Sequence, residues 1–284
     1  MAQALAPLHK YIEDTVPALT MAWRRGADMA AIDIARTSDG ALVLFPDATL
    51  DCRTGAKGPI SAHSLAELRS LDAGWGFTAD GRTFPLRGTA VGAIPTLAEA
   101  LRAVPGLALQ FRLSGGDPAL AQAVVGALKA AGRDPAKLGD GFTGNDAQLA
   151  AIHAAWPRTW AYDPAAASRC GHDYRLLGWT TSFPAECRQA TMALPLGGSL
   201  TLWGWPNRLQ TRLAANGTRA VMFADPETGA GLSHIRQISQ IARDYVGYAL
   251  VDDYWTVGPA LRPSRDMRTD DKANAALVRD GAAS

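Results

Sequence analysis

The side chains able to do chemistry in this chain are few and widely spaced. Asp33 ends a run of small and apolar residues, and Asp47, Asp225, Asp252 and Asp253 each fall just past another such run. Gln110 and Arg112 are two apart within an apolar stretch, so on a strand they share one face. A strand-end carboxylate can help hold a hard cation, which seeks 6 to 8 oxygens, or it can pair with a basic side chain. Asp33 therefore reads either as a metal ligand or as a salt-bridged aspartate. A guanidinium can grip an anionic ligand through two parallel hydrogen bonds or serve a buried structural pair, and Arg112 is open to both readings. Aspartates past strands also cap helices, which is the reading taken for Asp225. Trp203, Trp205 and Pro206 stand together before a helical stretch, where the aromatic rings either line the mouth of a site or fill core.

The five histidines, His9, His63, His153, His172 and His234, form no constellation; His172 and Asp173 adjoin only within what reads as a polar connection. The cysteines Cys52, Cys170 and Cys187 are odd in number and lack a C-x-x-C spacing. They are expected to be ordinary packing residues, with neither a disulfide framework nor a zinc site.

Elements that could position these side chains follow from the pattern of apolar runs. Strands are expected at 29–34, 42–45, 107–113, 141–143, 159–162, 191–194, 219–224 and 248–251. Helical periodicity falls at 15–25, 97–104, 118–131, 146–155, 206–215 and 234–243. Strand and helix alternating in this way predicts a parallel sheet with helices outside it. A length of 284 residues suits a single β/α barrel of about 250 residues spanning 1–262. The Gly-, Thr- and Arg-rich stretch 47–95 reads as an insertion over the rim, with too few apolar residues for its own core. Residues 263–284 read as a disordered tail.

At Gly26-Ala27-Asp28, Asp33, Arg36-Thr37-Ser38-Asp39-Gly40 and Val43-Leu44-Phe45-Pro46-Asp47, the chain resembles the glycerophosphodiester phosphodiesterase family. The likeness continues through Leu71-Asp72-Ala73-Gly74, Gly81-Arg82-Thr83-Phe84-Pro85 and Ile94-Pro95-Thr96-Leu97-Ala98-Glu99. In Trp203-Gly204-Trp205-Pro206-Asn207-Arg208 it resembles one bacterial branch. The resemblance implies a (β/α)8 TIM barrel with its site at the carboxyl ends of the strands. It also implies a divalent cation held by carboxylates, with two histidines as general acid and base. Those parts come, in the family, from an H-R-G, an E-x-D, an H-D and an E-x-K.

The chain departs from the pattern at each of these. The E-x-D is Ala31-Ile32-Asp33, leaving Asp33 as the one candidate metal ligand. The H-D is Pro46-Asp47, and proline can neither donate nor accept a proton. The E-x-K positions hold Arg112 and Ser114. The P-E-N-T that follows the H-R-G is Ile12-Glu13-Asp14-Thr15, with so little chain ahead of it that the first barrel strand is expected to be missing or short. Asp33, Asp47, Gln110, Arg112 and Trp203 are thus candidates for binding a small anionic or phosphodiester ligand. No catalytic residue is assigned and no cofactor is expected. The alternative is an active hydrolase that uses Mg2+ or Ca2+ to release an alcohol and glycerol 3-phosphate.

A formal charge of +1 without a basic run gives no support for a nucleic-acid partner, and no apolar stretch reaches the ~18 residues of a membrane span. A soluble, cytoplasmic protein is expected, its oligomeric state left open.

Overall fold

The computed structural model describes residues 11–78, 80–180, 182–197 and 202–261. The element order is α1 (Val16–Arg24), β1 (Met29–Arg36), β2 (Leu42–Leu44), α2 (Leu65–Leu68), α3 (Leu97–Ala103), β3 (Ala108–Leu113), α4 (Pro118–Ala130), α5 (Pro135–Leu138), β4 (Gly141–Thr143), α6 (Asp146–Ala155), β5 (Trp160–Tyr162), α7 (Pro164–Leu177), β6 (Thr191–Pro195), α8 (Asn207–Ala215), β7 (Arg219–Phe223), β8 (Tyr248–Ala249) and α9 (Tyr254–Leu261). Residues 1–10, where the first barrel strand is expected to be missing or short, and the tail from 263 fall outside the described residues.

The strands form two sheets, ordered β2-β1-β3-β4-β5 and β6-β7-β8. All pairings are parallel except β1 with β2, which form an antiparallel pair. Among the described residues no backbone ladder joins the sheets, but they share one interior. Met29, Trp160 and Val221 pack there with Ala108, Tyr162, Phe223 and Tyr248, drawn from β1, β3, β5, β7 and β8. Trp160 bridges the seam between the sheets: its Nε1 donates to Thr191 Oγ1 at 2.9 Å and its ring stacks on Tyr248 at 4.7 Å. The alternate positions Ala30, Ile32, Leu109, Phe111, Met192 and Met222 face outward, into the larger apolar layer beneath the helices. The architecture is that of a β/α barrel.

Helix starts follow local chemistry. Thr96 and Asn145 each accept a hydrogen bond from the backbone of the third helical residue, and Glu99 and Gln148 bond back, closing capping boxes on α3 and α6. Four helices depart from the sequence expectation, and two of them, the short α5 and α9, form where no helix was expected. Helix α7 occupies the stretch read as a polar connection, because its buried face is made of Ala167, Cys170, Gly171 and Tyr174, which carry little apolar contrast. The expected helix at 234–243 is only a 3-10 turn, Ile235–Gln240.

The cysteine expectation is overturned. Cys170 on α7 and Cys187 in the turn before β6 form a disulfide, while Cys52 is free. The pairing is a tertiary event that a separation of 17 residues does not announce.

Residues 47–95 enclose more apolar surface than their composition promised. Leu50, Ile60, Leu68, Leu86 and Ile94 are buried together, but with Ile12, Val43 and Phe45 from the barrel side, so the cluster is shared. Among the described residues no sheet forms in this stretch; it holds helix α2 and isolated bridges, among them Asp72 with Val91.

Candidate functional site

The register of β1 on β3 sets Asp33 beside Arg112 and Ala31 beside Gln110, all on the inward face. Arg112 Nη2 donates to Asp33 Oδ2 in a salt bridge at the carboxyl ends of these strands. The Arg112 side chain remains 26% exposed and that of Asp33 10%, so the pair is buried on one side and open at the mouth on the other. Gln110 lies one layer deeper, where Gly141 on β4 makes room for it: a Cβ there would come 2.1 Å from Gln110 Oε1. Among the described residues neither amide atom of Gln110, nor the buried Nε of Arg112, has a hydrogen-bond partner.

Three groups not singled out as ligands complete the mouth. Asp14 is buried and accepts the Asp33 backbone N–H at 3.3 Å. Glu13 pairs with Arg53, whose Nε also donates to Asp47 Oδ2 at 2.7 Å. Arg53 belongs to the stretch read as an insertion over the rim, and no sequence signal marked it. Glu13 and Asp14 were visible only as remnants of a motif. Pro46 lines the same small cavity as Glu13, Asp14 and Arg53, and the Phe45 N–H just before it donates to the Asp33 carbonyl. Ser114 follows β3, half-buried.

Burial dominates the electrostatics. It pushes the Asp14 carboxyl well above the usual range, and the neighbouring Asp33 pushes the same way. Glu13 is raised by burial, with Arg53 opposing; Asp33 is likewise raised by burial, with Arg112 opposing. Burial works against the Arg112 charge, but Asp33, Asp14 and Glu13 outweigh it and raise its pKa. Tyr162, inward on β5, is pushed up to about 12 by burial, so its phenol stays protonated at neutral pH.

A folded pKa above the unfolded one means stability that is present at low pH and is lost as pH rises through the folded value. Asp14→Asn removes this ionisation. Asn also tolerates the positive φ of 56° found at this position. The variant is therefore expected to melt above the wild type at pH 8, with the gap closing near pH 4. Equal melting temperatures at pH 8 would show that Asp14 ionises there without cost.

As arranged, the donor set does not fit a divalent ion. Arg112 occupies an Asp33 oxygen, Arg53 engages both Glu13 and Asp47, and the Asp14 oxygen faces a backbone N–H. Among the described residues no group of three or more His, Cys, Asp or Glu is placed to hold one.

The other candidates lie elsewhere. Trp203 is not brought to the Asp33–Arg112 pair: its carbonyl accepts from Tyr174 Oη of α7, and Arg208 and Arg212 of α8 lie over its ring. Trp205 packs near Tyr245, with ring centroids 5.7 Å apart. Asp225 accepts the Glu227 N–H in a turn where no helix follows, correcting the capping expectation. Asp253 does hold a helix start, accepting the Thr256 N–H at the head of α9. His63, His153, His172 and His234 are all outside the mouth cluster, and His9 falls outside the described residues.

Residues 6–115 match the Glycerophosphoryl diester phosphodiesterase family. A 94-residue segment is 37% identical to the uncharacterized protein Rv2277c of Mycobacterium tuberculosis, covering 33% of this chain and 31% of that protein. A 62-residue segment is 39% identical to a glycerophosphodiester phosphodiesterase of Caldanaerobacter subterraneus, covering 22% of this chain and 26% of that one. The chain thus matches about a third or less of the length of these curated relatives. In three dimensions it is similar to the glycerophosphoryl diester phosphodiesterase domain of Rv2277c, with a TM-score of 0.65, 22% identity, and coverage of 93% and 98% of the two chains. It is also similar to an Oleispira antarctica phosphodiesterase solved with the product sn-glycerol-3-phosphate, with a TM-score of 0.59, 21% identity, and coverage of 93% and 96%. These structural likenesses bear on the fold, which is the barrel of these phosphodiesterases.

Proposed function

We propose, from the match of residues 6–115 to the glycerophosphoryl diester phosphodiesterase family, that this barrel binds a phosphodiester or a related small oxyanion at its mouth and does not hydrolyse it at the family's rate. The observation that carries the reading is Arg112. It stands where the resemblance places a metal-binding glutamate, is fixed by Asp33, and keeps about a quarter of its side chain exposed at the mouth. A guanidinium held in this way offers preorganised donors to an oxyanion; the two arginines offset part of the charge of Glu13, Asp33 and Asp47, and burial favours the neutral form of Asp14. Pro46 in place of the family histidine removes a proton-transfer group, and such groups contribute about 10²- to 10⁴-fold each. The disulfide weighs against the cytoplasmic expectation, since such bonds persist chiefly in oxidising compartments.

The test measures both halves of the proposal on purified protein. Thermal shift and calorimetry with glycerol 3-phosphate, glycerophosphocholine and inorganic phosphate are expected to show binding. Assays on glycerophosphocholine and bis(p-nitrophenyl) phosphate with Mg2+, Ca2+ or Mn2+, with and without EDTA, are expected to show no turnover. Metal-dependent hydrolysis would overturn the reading in favour of an active diesterase.

A further inference from the structure

Gln110 is 1% exposed, and neither its amide nitrogen nor its amide oxygen has a hydrogen-bond partner among the described residues. Buried polar atoms are nearly always bonded, because a group stripped of water and given nothing in return is costly. Arg112 Nε, on the same wall, is in the same condition. These atoms are complementary. An Nε–H can only donate and an amide oxygen can only accept, and the two side chains stand two residues apart on the inward face of β3.

The neighbouring strand makes room for the amide. Gly141 is the partner of Gln110 across the β3–β4 ladder, and a Cβ there would come 2.1 Å from Gln110 Oε1 and 2.9 Å from Trp160 Cε3. Glycine weakens a strand interior and marks places where another group approaches closely. An apolar residue at 110 facing a larger one at 141 would fill this layer with no orphaned atom, as Leu109, Phe111 and Phe142 fill the outer face. Packing alone does not account for a glutamine here.

Arg112 is anchored at one corner: its Nη2 donates to Asp33, and 26% of its side chain is exposed at the mouth. Two parallel hydrogen bonds to an oxyanion call for a guanidinium plane fixed at more than one point. Residues on a strand rise ~3.3 Å each, so the Cα atoms of Gln110 and Arg112 lie roughly 6.6 Å apart, within the combined reach of the two side chains. We propose, on the oxyanion reading of the mouth given above, that Gln110 is a positioning residue for Arg112 in the ligand-bound state. Its amide turns from Gly141 so that Oε1 accepts the Arg112 Nε–H. Asp33 and Gln110 then fix the guanidinium plane together, and its remaining Nη hydrogens meet the oxyanion. The ligand supplies the drive, because it binds the fixed plane better than the free one.

Two measurements on the purified protein test this. The first is the response to Gln110→Met, which nearly conserves side-chain volume and removes both amide atoms. Without ligand the variant is expected to melt at or above the wild-type temperature, since it loses no hydrogen bond. Its dissociation constants for inorganic phosphate and glycerol 3-phosphate are expected to rise about tenfold, the scale of one hydrogen bond to a charged group. The second measurement is made on the wild-type side chain. In protein carrying isotope-labelled arginine, the Arg112 Nε–H resonance, identified by its loss in Arg112→Lys, is expected to move downfield at saturating phosphate. Gln110→Met is expected to abolish that shift. A melting temperature lowered by Gln110→Met would show the amide already bonded without ligand and refute the assignment. Equal phosphate affinity in the two proteins would refute it too, as would an Nε–H resonance that phosphate leaves in place. Each of these results, obtained while wild-type protein binds phosphate, removes the role of Gln110 alone. Wild-type protein that binds no oxyanion would sink the reading of the mouth and the role of Gln110 with it.

Discussion

Arg112→Met is expected to lower stability by about 2–4 kcal/mol and to abolish phosphate and glycerol 3-phosphate binding at the barrel mouth. Removing one member of a buried ion pair costs about 3–5 kcal/mol because the remaining charge stays desolvated. The estimate is set lower because the Arg112 side chain is still 26% exposed. Asp33 would be left buried beside Asp14 with no cation on its oxygens, and both carboxyls would take up protons more readily. Part of the loss should therefore return at low pH. Combining Arg112→Met with Asp33→Asn should restore part of it at neutral pH, since the pair fails additivity when its members touch. Urea titrations of the single and double variants measure the coupling, and thermal shift with phosphate measures the binding. A stability change within 0.5 kcal/mol, or undiminished binding, would mean that the pair is solvated and idle.

Asp140→Ala is expected to cost about 3–5 kcal/mol through a different cluster, one with no role at the mouth. The Asp140 and Arg133 side chains are 0% and 4% exposed. Arg133 donates Nε to Asp140 Oδ2 and Nη2 to Oδ1, both at 2.7 Å, and Nη2 also reaches the Leu107 carbonyl at 2.6 Å. The Asp140 Oδ1 also accepts the Leu109 N–H at 2.8 Å. One carboxylate thereby joins the starts of β3 and β4 at the amino ends of the strands, the face of a barrel given to stability. Alanine would strand a buried guanidinium and a strand N–H together. Asp140→Asn keeps an acceptor for one of them and should cost less. Urea unfolding checks the pair of variants, and a loss below 1 kcal/mol for Asp140→Ala would contradict the account.

The strands were legible because parallel strands covered on both faces read as unbroken apolar runs, as in Met29-Ala30-Ala31-Ile32. Period two put Gln110 and Arg112 on one face of their strand, and the family resemblance put that face and Asp33 toward the barrel interior. Helix α7 was hidden because alanine, cysteine and glycine can line a buried helix face without an apolar signature. Arg53 was hidden for another reason. It reaches the mouth from a stretch whose path depends on packing against Val43 and Phe45, and local composition says nothing of that path. The burial of Asp14 likewise depends on chain that is distant in sequence, so its shifted acidity had no local sign.

The seam between β5 and β6 bears on how the chain acquires its structure. Two backbone ladders, β2 to β5 and β6 to β8, can each form from consecutive segments, whereas a fully laddered barrel must close on itself before any pairing is complete. Joining the two at the seam falls to side chains such as Trp160 and Thr191, so docking can follow the formation of both halves. The aromatic stack of Trp160, Tyr162 and Tyr248 is the surface on which the two ladders meet.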